Sequence, residues 1–166
     1  MKSDVINCSF RITGEEAVAK RKNILKNLSV AVTDMGNKII RNGNSSLDEN
    51  IITIEYMNIF TILKENPLIN KIIFTSSSGK VNAVKWFSEF LKAENVIHKF
   101  PKGKKPLKNE IKFNDKAIQL VTLYFLSRRA VNKISFEKLV EMYKVDTVHN
   151  LQNLYLNVFG NLLINI

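Results

Sequence analysis

A serine and two arginines follow an apolar stretch of the sequence, with no residue between them that would make an ordinary turn. Five of the six residues from 121 to 126 are apolar or aromatic, and Ser127, Arg128 and Arg129 come next. The apolar run predicts a buried strand over 118–126. Guanidinium groups match the geometry of phosphate oxygens, and no carboxylate stands close to these two in the sequence. Arg128 and Arg129 are therefore predicted to bind phosphates.

A second concentration of positive charge precedes that strand. The segment "KFPKGKKPLK" (99–108) has five lysines in ten residues, among them Lys102, Lys104 and Lys105. A lysine ammonium is a mobile point charge, suited to phosphate contacts that do not depend on base sequence. The chain has a net charge of +10, of which residues 99–133 carry +8. This concentration predicts a polyanion-binding face with DNA as the partner, and a merely solvated loop is the alternative.

A serine-rich loop separates another predicted strand from a predicted helix. In "FTSSSGKVN" (74–82) the backbone N–H groups at the start of the helix could hold an anion. Ser77, Ser78 and Lys80 are therefore predicted phosphate contacts, with helix capping as the alternative. The loop does not have the Walker A pattern of nucleotide hydrolases, because Phe74 stands at the first glycine position and Val81 replaces Ser or Thr.

The other reactive side chains do not form a recognisable catalytic or metal-binding set. His98 and His149 are far apart, and neither has metal-ligand spacing with a cysteine or a carboxylate. We therefore predict no metal and no cofactor. The single cysteine, Cys8, cannot form an intramolecular disulfide, and no apolar run approaches the roughly 18 residues of a membrane span. These features predict a cytoplasmic protein that does not enter the membrane.

Alternating strand and helix patterns must position these groups. The sequence predicts a hairpin that turns at Asn114-Asp115, strands at 50–56 and 70–75, helices at 14–28, 58–66, 80–95 and 135–144, and loops at 42–46 and 99–110. Such alternation predicts an α/β domain, a three-layer αβα sandwich with a mainly parallel sheet, over residues 1–145. Residues 146–166 are predicted as a C-terminal helical tail. Its apolar stripe either packs on the domain or forms a homodimer through residues 147–166.

Two blocks of sequence resemble the uracil-DNA glycosylase superfamily, and most closely its divergent bacterial branches. The blocks are "IITIEYMNIFTILKENPLINKIIFTSSSGKVNAVKWFSEFL" and, after the basic loop, "IQLVTLYFLSRRAVNKISFEKLVEMY"; the likeness covers about residues 15–145. The resemblance implies the superfamily's fold, with a loop that grips DNA and inserts an apolar wedge while a base is flipped out. By this match Ser127 is the loop serine, Arg128 and Arg129 bind phosphates, and Leu126 is the wedge. The alternative is that Leu126 is the last core residue of its strand.

The sequence departs from that family in two places. Phe125 and Leu126 replace the usual Ser or His and Pro before the loop serine, and nothing before Thr13 matches the family's glycine-rich turn with its water-activating Asp or Asn. The chain is therefore expected to be shortened at its N-terminus, and either Asp4 or Asp34 replaces the missing group or base excision is lost. The resemblance predicts a DNA-binding protein that, if it is an enzyme, removes deaminated bases. The alternatives are a non-catalytic or truncated relative that binds DNA, and a protein-interaction module that uses the C-terminal stripe.

Overall fold

The computed structural model describes residues 13–43, 50–79, 81–103, 106–123 and 136–143 of the 166-residue chain. Within them the elements are α1 (Glu15–Asn27), β1 (Gly36–Arg41), β2 (Ile51–Tyr56), α2 (Ile59–Glu65), β3 (Lys71–Phe74), α3 (Ala83–Ala93), β4 (Leu107–Phe113), β5 (Lys116–Thr122) and α4 (Phe136–Tyr143). They belong to two compact units, one that contains α1 and one that contains the elements from β1 onward. The predictions for Cys8, for residues 124–135 and for the C-terminal tail lie outside the described residues.

Helix α1 is closed by a residue in the left-handed conformation. Ser29 has a φ of 53°, and its N–H donates to the carbonyl of Lys26 over 3.0 Å. The N–H of Val30 donates to the carbonyl of Leu25 over 2.9 Å. This pair of bonds satisfies carbonyls that the helix end would otherwise leave unpaired. The predicted helix at 14–28 is therefore confirmed to within a residue at each end.

The described strands form two small sheets. One consists of β1 and β2, paired antiparallel. The other has the order β3-β5-β4, in which β3 and β5 are parallel and β4 and β5 antiparallel. The fold is mixed α/β, as predicted. In the described strands, however, antiparallel pairing predominates. Strand β2 does not pair with β3 but with β1, a strand that the sequence analysis did not predict. The predicted predominance of parallel pairing is therefore wrong for these strands.

The hairpin between β4 and β5 turns where the sequence predicts. Asn114 and Asp115 have φ of 47° and 62°, and the flanking residues Phe113 and Lys116 are paired. Positive φ at both central residues is the conformation that two-residue hairpin turns favour, since its twist matches that of the strands. The pairing continues back to Leu107, so the predicted loop at 99–110 is too long by its last four residues.

The core lies between one face of the three-stranded sheet and the helices α2 and α3. Phe87 on α3 is 0% exposed, and its ring centroid lies 5.1 Å from that of Phe74, 6.0 Å from that of Phe90 and 6.1 Å from that of Phe100. Aromatic pairs at such separations add to the gain from burying their apolar area. Phe74 ends β3, and Phe100 belongs to the lysine-rich segment. The aromatic cluster therefore ties that segment to the sheet.

The Tyr56 side chain on β2 and the backbone of β1 at Gly36 both lie against α3. The hydroxyl of Tyr56 donates a hydrogen bond to the carboxylate of Glu89. Gly36 lies against the ring of Trp86, so that a Cβ at this position would come within 3.0 Å of Trp86 Cζ3 and 2.8 Å of Ile39 Cγ2. The close approach of β1 to α3 therefore depends on a residue without a side chain.

Replacing Tyr56 by Phe is expected to lower the free energy of unfolding by about 1–2 kcal/mol at neutral pH, because it removes a hydrogen bond to a charged group. Burial and the Glu89 carboxylate together raise the pKa of Tyr56 to about 12. Since this pKa lies above that of an unfolded tyrosine, about 10, the contribution is present below about pH 10 and is lost as the pH rises towards about 12. Chemical denaturation at neutral and alkaline pH measures both effects.

Glu89→Gln is the matched control for Tyr56→Phe, because it keeps an acceptor and removes the charge. The tyrosinate absorbance assigned to Tyr56 should then appear at lower pH than in the unaltered protein. Equal stability of Tyr56→Phe and the unaltered protein would contradict this account of the contact between β2 and α3.

Candidate functional site

Three segments of the chain meet at one edge of the three-stranded sheet, which we call the carboxyl edge and define by Phe74, Thr122 and Leu107. Phe74 is paired with Thr122, and Thr122 with Leu107. Because β3 and β5 end here while the antiparallel β4 begins here, the edge receives the chain leaving β3, the chain leaving β5 and the chain entering β4. In α/β sheets the carboxyl ends of parallel strands are the usual place for a ligand.

The serine loop leaves β3 at this edge and caps α3. Ser76 Oγ accepts a hydrogen bond from the N–H of Ala83 over 3.0 Å, and Asn82 Oδ1 accepts one from the N–H of Lys85 over 2.8 Å. The N–H of Val84 donates to the carbonyl of Ser76 over 3.4 Å. The backbone groups that an anion would use at the start of α3 are thus already paired within the chain. Ser76 and Asn82 have the capping role that the sequence analysis set against phosphate binding.

Ser77 and Ser78 have no role in that cap. Ser77 Oγ is buried and has no hydrogen-bond partner in the described part of the chain, whereas Ser78 is exposed. A buried hydroxyl without a partner is costly, and it is able both to donate and to accept a hydrogen bond. Both serines follow β3 at the carboxyl edge, where they stay predicted phosphate contacts. Lys80, the third predicted contact of this loop, lies outside the described residues.

The lysine-rich segment reaches the same edge from the end of α3. Its Phe100 ring packs against that of Phe74, with centroids 5.7 Å apart. One residue earlier, the carbonyl of Lys99 accepts a hydrogen bond from Asn109 Nδ2 on β4 over 3.1 Å. The segment enters β4 at Leu107, opposite Thr122. Contacts on both sides therefore place Lys102 beside the carboxyl edge.

The described lysines around this edge keep their positive charge exposed. Lys99, Lys102 and Lys108 are all exposed, and none of them has an ion-pair partner within the described residues. Glu110 and Lys112 continue the exposed face of β4 away from the edge. These three lysines therefore give the described part of the carboxyl edge exposed positive charge.

His98 packs beside the lysine-rich segment. Its ring lies edge-on to that of Phe100, with centroids 5.0 Å apart, and its Nε2 is 3.0 Å from Asn109 Nδ2. Burial lowers the pKa of His98, which favours the neutral ring. In the described ranges no three His, Cys, Asp or Glu side chains are placed to hold a metal ion. Sequence reasoning did not find the contact between His98 and Asn109, because Asn109 fell in a predicted loop.

The structure thus brings together some of the predicted site residues and does not describe the rest. Ser77, Ser78 and Lys102 lie around the carboxyl edge. The chain leaves β5 there at Leu123, whose N–H donates to the carbonyl of Phe74 over 2.9 Å. The predicted residues outside the described ranges are Leu126, Ser127, Arg128, Arg129, Lys80, Lys104 and Lys105. Lys99 and Lys108 join the edge as exposed cations that were not among the predicted contacts.

Comparison of the chain with protein-family models, with curated proteins and with solved structures finds no match. No helix in the described part of the chain is long and apolar enough to cross a membrane. The carboxyl edge, where three segments of the chain meet and the lysines are exposed, is the feature of the described residues that bears on function.

Proposed function

We propose that the protein binds DNA through phosphate contacts at the carboxyl edge. The observation that carries the proposal is the strand register, in which Phe74, Thr122 and Leu107 lie side by side. This register brings the end of the lysine-rich segment, the serine loop and the end of β5 to one place. Two of these three segments fall within residues 99–133, which carry +8 of the net charge of +10.

The side chains at the edge favour contacts with phosphates over contacts with bases. Lys99, Lys102 and Lys108 are flexible, exposed point charges, and such groups neutralise phosphates without distinguishing one base sequence from another. Each neutralised phosphate releases condensed counterions, which supplies most of the free energy of nonspecific binding. Affinity should therefore depend strongly on salt and weakly on base sequence.

We further propose that the domain is a three-layer αβα sandwich related to the uracil-DNA glycosylases. What supports this is the order of its parts: strand β3, serine loop and α3, then a basic segment, then β5 parallel to β3. Removal of a deaminated base is the activity that this resemblance adds. Of the two residues expected to replace the family's water-activating group, Asp34 is exposed and Asp4 lies outside the described residues. Binding is therefore our main conclusion, and excision needs a measurement of its own.

Binding of a labelled duplex at a series of salt concentrations tests the proposal. We expect the logarithm of the association constant to fall linearly with the logarithm of salt concentration, with a slope of about −0.9 for each phosphate contacted. Duplexes of unrelated sequence should give similar slopes. Absence of binding at low salt, or an affinity that does not respond to salt, would refute the proposal. The same samples, prepared with uracil- or hypoxanthine-containing strands and checked for abasic products, report on excision separately.

Strand β4 offers a matched pair of variants for this measurement. Lys108 and Lys112 are exposed on the same face of one strand, but Lys108 lies next to the carboxyl edge and Lys112 next to the hairpin turn. Lys108→Ala should reduce the size of the salt slope by about one. Lys112→Ala changes the net charge equally and should leave the slope nearly unchanged. Equal effects of the two variants would place the DNA elsewhere.

A further inference from the structure

The Asn109 side chain joins β4 to the start of the lysine-rich segment through three contacts. Its Nδ2 donates to the carbonyl of Lys99 over 3.1 Å and lies 3.0 Å from His98 Nε2, and its Oδ1 accepts from the N–H of Glu110 over 2.8 Å. Turning the amide over would bring Oδ1 against the Lys99 carbonyl and Nδ2 against the Glu110 N–H. The amide orientation is therefore fixed, and Nδ2 is the donor to His98. A ring nitrogen that accepts a hydrogen bond carries no proton, so the proton of the neutral His98 ring is on Nδ1.

We infer that His98 and Asn109 form a proton-sensitive latch that holds the lysine-rich segment against β4. When His98 takes up a proton, both ring nitrogens become donors, and Nε2–H then faces the N–H of Asn109. The two donors repel each other, so the contact opens and the segment loses this attachment to β4, while Phe100 stays packed in the aromatic cluster. The latch rests on these contacts alone, whereas any effect on DNA binding also rests on the proposed function.

The surroundings of His98 favour the closed state at neutral pH. The Phe100 ring makes a T-shaped pair with the His98 ring, and Asn109 faces Nε2; neither side chain titrates. The charged neighbours of Asn109 on β4, Lys108 and Glu110, extend from the exposed face of the strand, opposite to the half-buried Asn109, and Lys99 points to solvent. Burial lowers the pKa of His98, and a hydrogen bond accepted by the neutral ring acts in the same direction. The latch should therefore be closed at pH 7 and open below the usual histidine pKa of about 6.5.

Nuclear magnetic resonance of the full chain tests the latch without DNA. His149→Gln removes the other histidine, so that every imidazole signal belongs to His98. We expect the Nδ1–H tautomer at neutral pH, a titration midpoint below about 6.5, and movement of the Lys99, Lys102 and Gly103 backbone amides with that same midpoint. In Asn109→Ala the tautomer preference should disappear and the midpoint should rise. An Nε2–H tautomer at neutral pH, or segment amides that do not follow His98, would overturn the inference.

His98→Gln keeps the inference testable if Asn109→Ala does not fold. The glutamine Oε1 accepts a hydrogen bond at every pH, so the amides of residues 99–103 should lose their titration while the chain stays folded. DNA affinity should then change across the His98 midpoint in the unaltered protein and stay constant in His98→Gln. Titration of the segment without any DNA binding would support the latch and refute the proposed function. DNA binding without titration of the segment would refute the latch and support the proposed function.

Discussion

Replacing Lys102, Lys104 and Lys105 together by alanine is expected to weaken duplex DNA binding by roughly two to three orders of magnitude near 0.1 M salt. Each phosphate contact contributes about 0.9 to the slope of log affinity against log salt. Without three such contacts, the protein gains almost three logarithmic units less affinity as salt falls tenfold, from about 1 M to about 0.1 M. The loss should be similar on every sequence, because lysine contacts to phosphates do not distinguish bases. Salt-dependent titrations with two unrelated duplexes measure both the loss and its uniformity.

The control variant removes three other lysines, which lie away from the carboxyl edge. Lys64 and Lys92 are exposed in the last turns of α2 and α3, and Lys112 is exposed beside the hairpin turn. Alanine at all three lowers the net charge by the same amount, but α3 begins at the carboxyl edge and these residues lie away from it. If the two triple variants lose affinity equally, the overall charge of the protein drives binding, and the carboxyl edge is not the site.

Replacing Phe87 by Ala is expected to lower the free energy of unfolding by about 3–5 kcal/mol. The residue is 0% exposed, and its ring contacts those of Phe74, Phe90 and Phe100, so its removal leaves a cavity lined by aromatic rings. Such a loss is a large part of the stability of a domain of this size. Denaturant unfolding should show a lower midpoint with an unchanged slope.

Ile97→Ala serves as the control for Phe87→Ala, because Ile97 is a large apolar residue that is 96% exposed. Its replacement should change the free energy of unfolding by less than about 0.5 kcal/mol. If Phe87→Ala lowers the free energy of unfolding by less than about 1 kcal/mol, its effect is close to that of a surface substitution. Such a result would contradict the assignment of the aromatic cluster as the centre of the core.

Local chemistry predicted some elements of this fold well. The turn at Asn114-Asp115 was predictable because Asn and Asp tolerate positive φ, and α3 was predictable from its apolar face. Strand β1 was missed because "GNKIIR" alternates poorly and is mostly exposed. Its strand conformation depends on pairing with β2, a tertiary contact that no local pattern reveals. The same pairing made the prediction of a mainly parallel sheet wrong for the described strands.

The candidate site was predictable in its parts but not in its assembly. The charge concentration and the serine loop are visible in the sequence. Their convergence depends on the register that pairs Leu107 with Thr122 and Thr122 with Phe74, and the sequence treats Leu107 as part of a loop. The internal pairing of the first-turn N–H groups of α3 was also hidden, because both Ser76 and the neighbouring serines fit a cap equally well on sequence grounds.

The parallel pairing of β3 with β5 has a consequence for how the chain is made. Lys71 pairs with Gln119, which lies 48 positions later in the chain, so a ribosome releases β3 long before its partner strand exists. At roughly 5–20 residues per second, β3 waits about 2–10 s for β5. During this interval the apolar side chains of Phe74 and Phe87 have no sheet to close over them. The nascent chain is then most exposed to aggregation, and a chaperone that shields apolar segments would have the most effect at this stage of synthesis.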